Sequence, residues 1–144
     1  MTVLIVVADA GRARFFETDL RHGAYKEVDD RVDPAARVPQ AKLASDEPGM
    51  QAMAGNPATH GLQEKITPKQ QEEIRFAGEV VDQIRRTLDS NNVEKFLLAA
   101  PPRFLGLLRN AMSDRLARAL AGDLDKDLTQ HSVDDIRAHM RLVG

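Results

Sequence analysis

The hydrophobic pattern of this chain opens with a near-continuous apolar run from Thr2 to Ala8 (TVLIVVA). An unbroken β-branched run suits a strand covered on both faces better than one with a solvent side. Asp9-Ala10-Gly11 ends the run, pairing an aspartate that tolerates turn geometry with a glycine free to take positive φ. Ala13 to Glu17 then reads as a second strand, which makes a β-hairpin. Ala24 to Val32 (AYKEVDDRV) alternates weakly and predicts a third strand, joined through Asp19 to Gly23 to complete an antiparallel meander. Its charges, Lys26, Glu27, Asp29, Asp30 and Arg31, fit an exposed sheet edge, where they block unwanted pairing.

Periodicity is lost between residues 33 and 66. Pro34, Pro39, Pro48 and Pro57, with Gly49, Gly55 and Gly61, interrupt both helical and strand patterns, and Met50, Met53 and Leu62 form no face. Connections of this length are uncommon in compact domains and are either functional loops or disordered segments. Disorder in isolation is the expectation here, with a short helix over Ala35 to Leu43 as the alternative.

Order resumes at Thr67-Pro68-Lys69-Gln70, a capping box with proline at the first helical position. Ile74, Ala77, Val81, Ile84 and Leu88 then recur at helical spacing, predicting one apolar stripe on a helix that ends within Asp89 to Asn92. Lys95 to Ala100 (KFLLAA) predicts a short buried strand stopped by Pro101-Pro102, lying parallel to a neighbour in a crossover arrangement. A helix is expected from Arg103 to Leu120 with Leu105, Leu108, Met112, Leu116 and Leu120 inward, and Gly122 as its stop. Asp127 to Gln130 reads as a last short strand. Ser132 to Asp135 opens a final helix whose apolar side is Val133, Ile136, Met140 and Val143.

Composition narrows what this pattern can be. With 144 residues, 42% of them hydrophobic, the chain closes one ordinary core, so a single domain spanning 1–144 is expected. No cysteine is present, which removes disulfides and thiolate metal sites. The run at Val3 to Ala8 is too short to cross a bilayer and lacks the pattern of a secretory signal, so no membrane insertion and a cytoplasmic location are expected. A net charge of −2 offers no overall attraction to polyphosphate. Nucleic-acid contact would need a local patch, for which Arg12, Arg14, Arg103 and Arg109 are the candidates beside turns; solvated surface arginines are the plainer reading.

Several segments in order, ADAGRARFFE, a long loop, a capped helix, FLLAAPPRFLGLLR and HSVDDIRAHM, resemble the bacterial family labelled as proteins required for attachment to host cells. That family is similar in turn to the middle domain of archaeal and eukaryotic peptide-chain release factors and their Pelota relatives. The resemblance covers essentially the whole chain. It implies an α/β fold, a ribonuclease H-like mixed sheet of about five strands with three main helices, and a link to ribosomes. In catalytic release factors a Gly-Gly-Gln tripeptide lies in the corresponding loop and promotes peptidyl-tRNA hydrolysis. Here the nearest matches, Gly49-Met50-Gln51 and Gly61-Leu62-Gln63, lack the second glycine, whose backbone freedom methionine or leucine would resist. Hydrolysis is therefore not carried over, and Gly61, Leu62 and Gln63 are kept as candidate contact residues beside Arg12, Arg14 and Arg103.

A ribonuclease H-like sheet also admits two-metal nucleic-acid hydrolysis, which needs converging carboxylates. Asp9, Asp82 and Asp134 are the candidates, although Asp9 is better explained as the hairpin's turn residue and Asp134 as first-turn charge on a helix. His22, His60, His131 and His139 show no ligand motif, and there is no nucleophile elbow or phosphate loop. Catalysis has no positive support and no cofactor is expected. The leading expectation is a noncatalytic binding module whose partner is the ribosome, through ribosomal RNA or tRNA, or otherwise a protein. A metal-dependent nuclease is the alternative.

Overall fold

In this computed structural model, which describes residues 2–19, 23–37, 66–91 and 93–143, the apolar run becomes β1, Thr2–Asp9, and lies in the middle of a five-stranded sheet. It pairs antiparallel with β2, Arg12–Asp19, which pairs in turn with β3, Tyr25–Val32. On its other side β1 runs parallel to β4, Lys95–Ala99, and β4 runs parallel to β5, Leu120–Leu124. The order β3-β2-β1-β4-β5 puts the charged third strand at an edge, as its composition predicts. Both neighbours of β1 satisfy its backbone groups, so its side chains can be wholly apolar. Leu4, Ile5, Val6, Val7 and Ala8 are fully buried.

Strand alternation divides those side chains between two cores. Leu4, Val6 and Ala8, with Ala13 and Phe15 of β2, meet α1, Pro68–Asn91, and α2, Pro102–Ala111. Leu116, from the short α3, Asp114–Ala119, joins the same cluster. Val3, Ile5 and Val7, with Phe16, meet Ile136 and Met140 of α4, Val133–Met140, on the opposite face. The adjacent Phe15 and Phe16 are both buried because both sheet faces are covered.

Local signals set the helix starts. Gln70 N donates to Thr67 Oγ1 at 3.1 Å while Thr67 N donates to Gln70 Oε1 at 2.9 Å, the reciprocal pair of a capping box. Asp135 N donates to Ser132 Oγ at 3.1 Å at the head of α4. The β1–β2 turn is closed by Gly11 N donating to Asp9 Oδ1 at 2.8 Å. Gly11 does not use positive φ; among the described glycines only Gly23, at φ +69°, does.

Four expectations need correction. The helix expected from Arg103 to Leu120 breaks at Met112, which is extended, and Ser113 caps a new helix by accepting from Leu116 N. The last strand is Leu120–Leu124 with Gly122 inside it, not Asp127 to Gln130. In that stretch Thr129 N and Oγ1 both donate to Asp127 Oδ1, a side-chain-closed turn that competes with strand pairing. The inward face of α1 is Phe76, Ala77, Val80, Val81 and Ile84, whereas Ile74 is 46% exposed. Phe76 turns that face inward by packing on Phe104 of α2, ring centroids 6.2 Å apart. Of the stretch expected to be irregular, Pro34–Arg37 forms one 3-10 turn; residues 38–65, including Gly49-Met50-Gln51, Gly61, Leu62 and Gln63, lie outside the described residues. So do His22 and His60. No described helix is long and apolar enough to cross a membrane.

Two substitution pairs test these assignments by urea denaturation. Ile84→Ala should cost about 2–5 kcal/mol through cavity formation, while Ile74→Ala should stay within about 0.5 kcal/mol. Arg14 Nη1 donates to the carbonyls of Thr129 and His131 at 3.2 and 2.9 Å, its Nε reaches Glu27 at 3.0 Å, and its guanidinium lies 5.1 Å from the Phe16 ring. Its side chain is only 12% exposed. Arg14→Ala should therefore cost about 2–3 kcal/mol by stranding those acceptors, against less than about 1 kcal/mol for Arg12→Ala, whose ion pair is solvent-facing.

Candidate functional site

Parallel strands β1 and β4 end side by side, and a cleft of about 470 Å³ opens beyond their carboxyl ends. Sheets of this kind place ligand clefts there because the connecting turns diverge. The floor is the β1–β2 turn, Asp9 to Arg12. Lys69, Glu72 and Glu73 of α1 form one wall, Pro101 enters from the β4–α2 junction, and Thr129 and Gln130 come from the segment before α4. A smaller apolar groove of about 200 Å³ shares Ala10, Glu73 and Pro101 with the cleft and continues along Arg103, Phe104 and Leu107 of α2.

The floor is rigid. Asp9 Oδ1 accepts from Gly11 N, and its Oδ2 lies 2.9 Å from Thr129 Oγ1, whose single proton is shared with Asp127 Oδ1 at 2.7 Å, so one carboxylate joins the hairpin turn to the segment before α4. The wall's charges are largely paired. Arg12 grips Asp30 with two bonds, Nε at 3.0 Å and Nη2 at 2.7 Å, and this contact holds the Asp30 carboxyl below its usual range. Arg103 Nη2 lies 3.1 Å from Glu73 while its side chain remains 62% exposed. Lys69 is exposed and forms no ion pair among the described residues.

The sequence-derived candidates separate on this geometry. Arg12 and Arg103 border the same continuous surface, the cleft and its groove. Arg14 points to the α4 side of the sheet and is committed to Glu27 and two carbonyls. Arg109 pairs with Asp123 of β5, away from the cleft. Asp9 lies on the cleft floor, but Asp82 is on α1, held below its usual pKa by Arg85 and then by Arg86. Asp134 sits on α4 across the sheet, 92% exposed. These three carboxylates therefore do not converge, and among the described residues no three His, Asp or Glu side chains are grouped as a metal would require. His131 and His139 meet edge to face near α4, centroids 5.7 Å apart.

Sequence reasoning missed Lys69, Glu72, Glu73, Pro101 and Thr129. The usable signal was the strand-then-proline step at Ala99 to Pro102, since the carboxyl end of a parallel strand is where a cleft is expected. It also missed that both flanks of residues 38–65 border the cleft, Ala35 before them and Lys69 after them.

Comparison with solved structures gives matches of remote sequence. The archaeal translation termination factor aRF1 aligns with a TM-score of 0.50 and 9% identity, covering 98% of this chain and 38% of that one. A structure described as an archaeal protein aligns with a TM-score of 0.50 and 11% identity, covering 97% of this chain and 33% of the other. At such identities the likeness concerns fold, and this chain spans only 33% and 38% of the two proteins. No curated protein matches in sequence. The sequence profile of the family described as "Protein required for attachment to host cells" matches residues 4–140. Nearly the whole domain, from β1 to the end of α4, is thus covered, and the chain belongs to that host-attachment family.

Proposed function

We propose that this chain is a binding module without chemistry of its own, and that its partner is the ribosome, met through RNA at the rim of the β1–β4 cleft. The observation that carries this reading is positional. The chain leaves the sheet beside the cleft at Ala35 and returns beside it at Lys69, so residues 38–65 are tethered at both ends to one surface. The same surface carries Lys69, Arg12 and the exposed Arg103, cations suited to phosphate contacts. The fold likeness to an archaeal translation termination factor supports the choice of partner. The missing second glycine in Gly61-Leu62-Gln63 supports recognition without peptidyl-tRNA hydrolysis. Under this reading the protein works in the cytoplasm, and attachment to host cells is a downstream consequence of its action there.

Co-sedimentation with purified ribosomes tests the reading. Wild type should pellet with ribosomes at low salt and be released as salt rises, because phosphate contacts release counterions. Replacing residues 38–65 with a Gly/Ser bridge should abolish pelleting at unchanged helix content by circular dichroism. Replacing Gly61, Leu62 and Gln63 with alanine should weaken it about tenfold, and Arg103→Ala combined with Lys69→Ala should also flatten its salt dependence. A folded bridge variant that pellets like wild type would remove the segment from the recognition surface. Wild type that ignores ribosomes but retains a protein from lysate would show the partner to be wrong.

A further inference from the structure

Behind the cleft wall, two carboxyl groups from distant parts of the chain meet. Asp33 follows β3; its N donates to Gly11 O at 2.9 Å, and its Oδ1 accepts from Ala35 N at 3.1 Å, holding the 3-10 turn. Its side chain is 1% exposed. Arg75 Nη2 lies 3.4 Å from Asp33 Oδ1 and also contacts Glu72 Oε2, so a single guanidinium nitrogen sits between the two acids. Asp33 Oδ2 is buried and, among the described residues, has no hydrogen-bond donor. A buried carboxylate oxygen with no donor is costly, and a neighbouring carboxylate raises that cost unless a proton lies between them.

We propose that Asp33 and Glu72 share a proton and together form a pH-responsive latch between the end of β3 and the start of α1. The proton resides on Asp33, whose O–H donates to Glu72 and so satisfies the orphaned oxygen. Glu72 is the ionised member because Arg75 holds its carboxyl below the usual range. Burial first, and then the contact with Glu72, pushes the Asp33 carboxyl up to about 6. The surrounding charges are Lys69, Glu73 and Glu79 of α1, Asp9 and Arg12 of the hairpin turn, and Arg31 of β3. Arg12, Arg31 and Glu73 are engaged by Asp30, Glu79 and Arg103, which leaves Arg75 as the cation touching both acids. His131 and His139 lie by α4, apart from the pair.

The sign follows from linkage. A carboxyl pKa raised by folding gives stabilisation that is complete below its unfolded value and is lost as pH rises through the folded value. The latch is therefore closed in mild acid and loosens above about 6, when two adjacent anions have Arg75 as their shared cation and Asp33 keeps only the Ala35 N–H besides. Because Ala35 and Glu72 both line the cleft, loosening acts on its wall. The latch itself requires no partner.

Carbon-13 NMR of side-chain carboxyls in the full chain, followed from acid to neutral pH, tests the proposal. The Asp33 resonance should titrate near pH 6, well above the ordinary aspartate value of about 4. In Glu72→Gln the Asp33 midpoint should fall, because the introduced side-chain amide donates to the carboxylate it faces. Asn at position 33 presents an N–H where protonated aspartate presents its O–H. The melting temperature of Asp33→Asn should thus gain on wild type as pH rises from 5 to 7.5. Asp33 titrating at the ordinary aspartate value of about 4 in wild type, or a midpoint unmoved by Glu72→Gln, would overturn the latch. The wild-type titration decides the matter should either variant fail to fold.

Discussion

β1 is buried on both faces, and the remaining architecture answers to that constraint. A strand whose side chains from Leu4 to Ala8 are all inaccessible needs hydrogen-bonding partners at both edges and apolar layers above and below. The hairpin supplies one edge through β2, and the crossover through α1 supplies the other through β4. Phe76, Val80 and Ile84 of α1 cover one face, and Ile136 and Met140 of α4 cover the other. Once β1 and β4 are parallel neighbours, their carboxyl ends must open together, so the cleft follows from how the central strand is buried.

Several of the described arginines are engaged within the fold rather than left free. Arg14, which a linear reading offers as a surface cation, is a structural tie between β2, Phe16 and the segment before α4. Arg75 contacts Glu72, Glu79 and Asp33. With a net charge of −2, long-range attraction to nucleic acid is weak, and under the proposed reading recognition would depend on the cations at the cleft rim. Lys69 lines the cleft beside the returning end of residues 38–65, and Arg103 lines the apolar groove.

What the sequence made legible was local. The caps at Thr67 and Ser132 satisfy backbone donors three residues away, so their signatures are readable wherever the chain is folded. The Val3 to Ala8 run announces its two-sided burial, and the charges of β3 announce its edge. β5 was hidden because LAGDL carries a glycine and an aspartate and adjoins a helix, so nothing but its pairing with β4 makes it a strand. Ile74 was misplaced because helical spacing permits neighbouring stripes, and the tertiary contact of Phe76 with Phe104 chooses between them. The site was the least legible part. Thr129 reaches Asp9 across 120 residues, and Asp33 meets Glu72 across the long segment, contacts that no spacing rule encodes.

Hydrogen–deuterium exchange of the full chain with and without ribosomes tests most directly whether recognition lies at the carboxyl ends of β1 and β4. Binding should slow exchange in the β1–β2 turn, the start of α1 and the β4–α2 junction, with residues 38–65 slowed as well. The opposite end of the sheet, around Ser113 to Ala119, should exchange as in the free protein. Protection confined to that opposite end, or exchange unaltered throughout, would contradict the account.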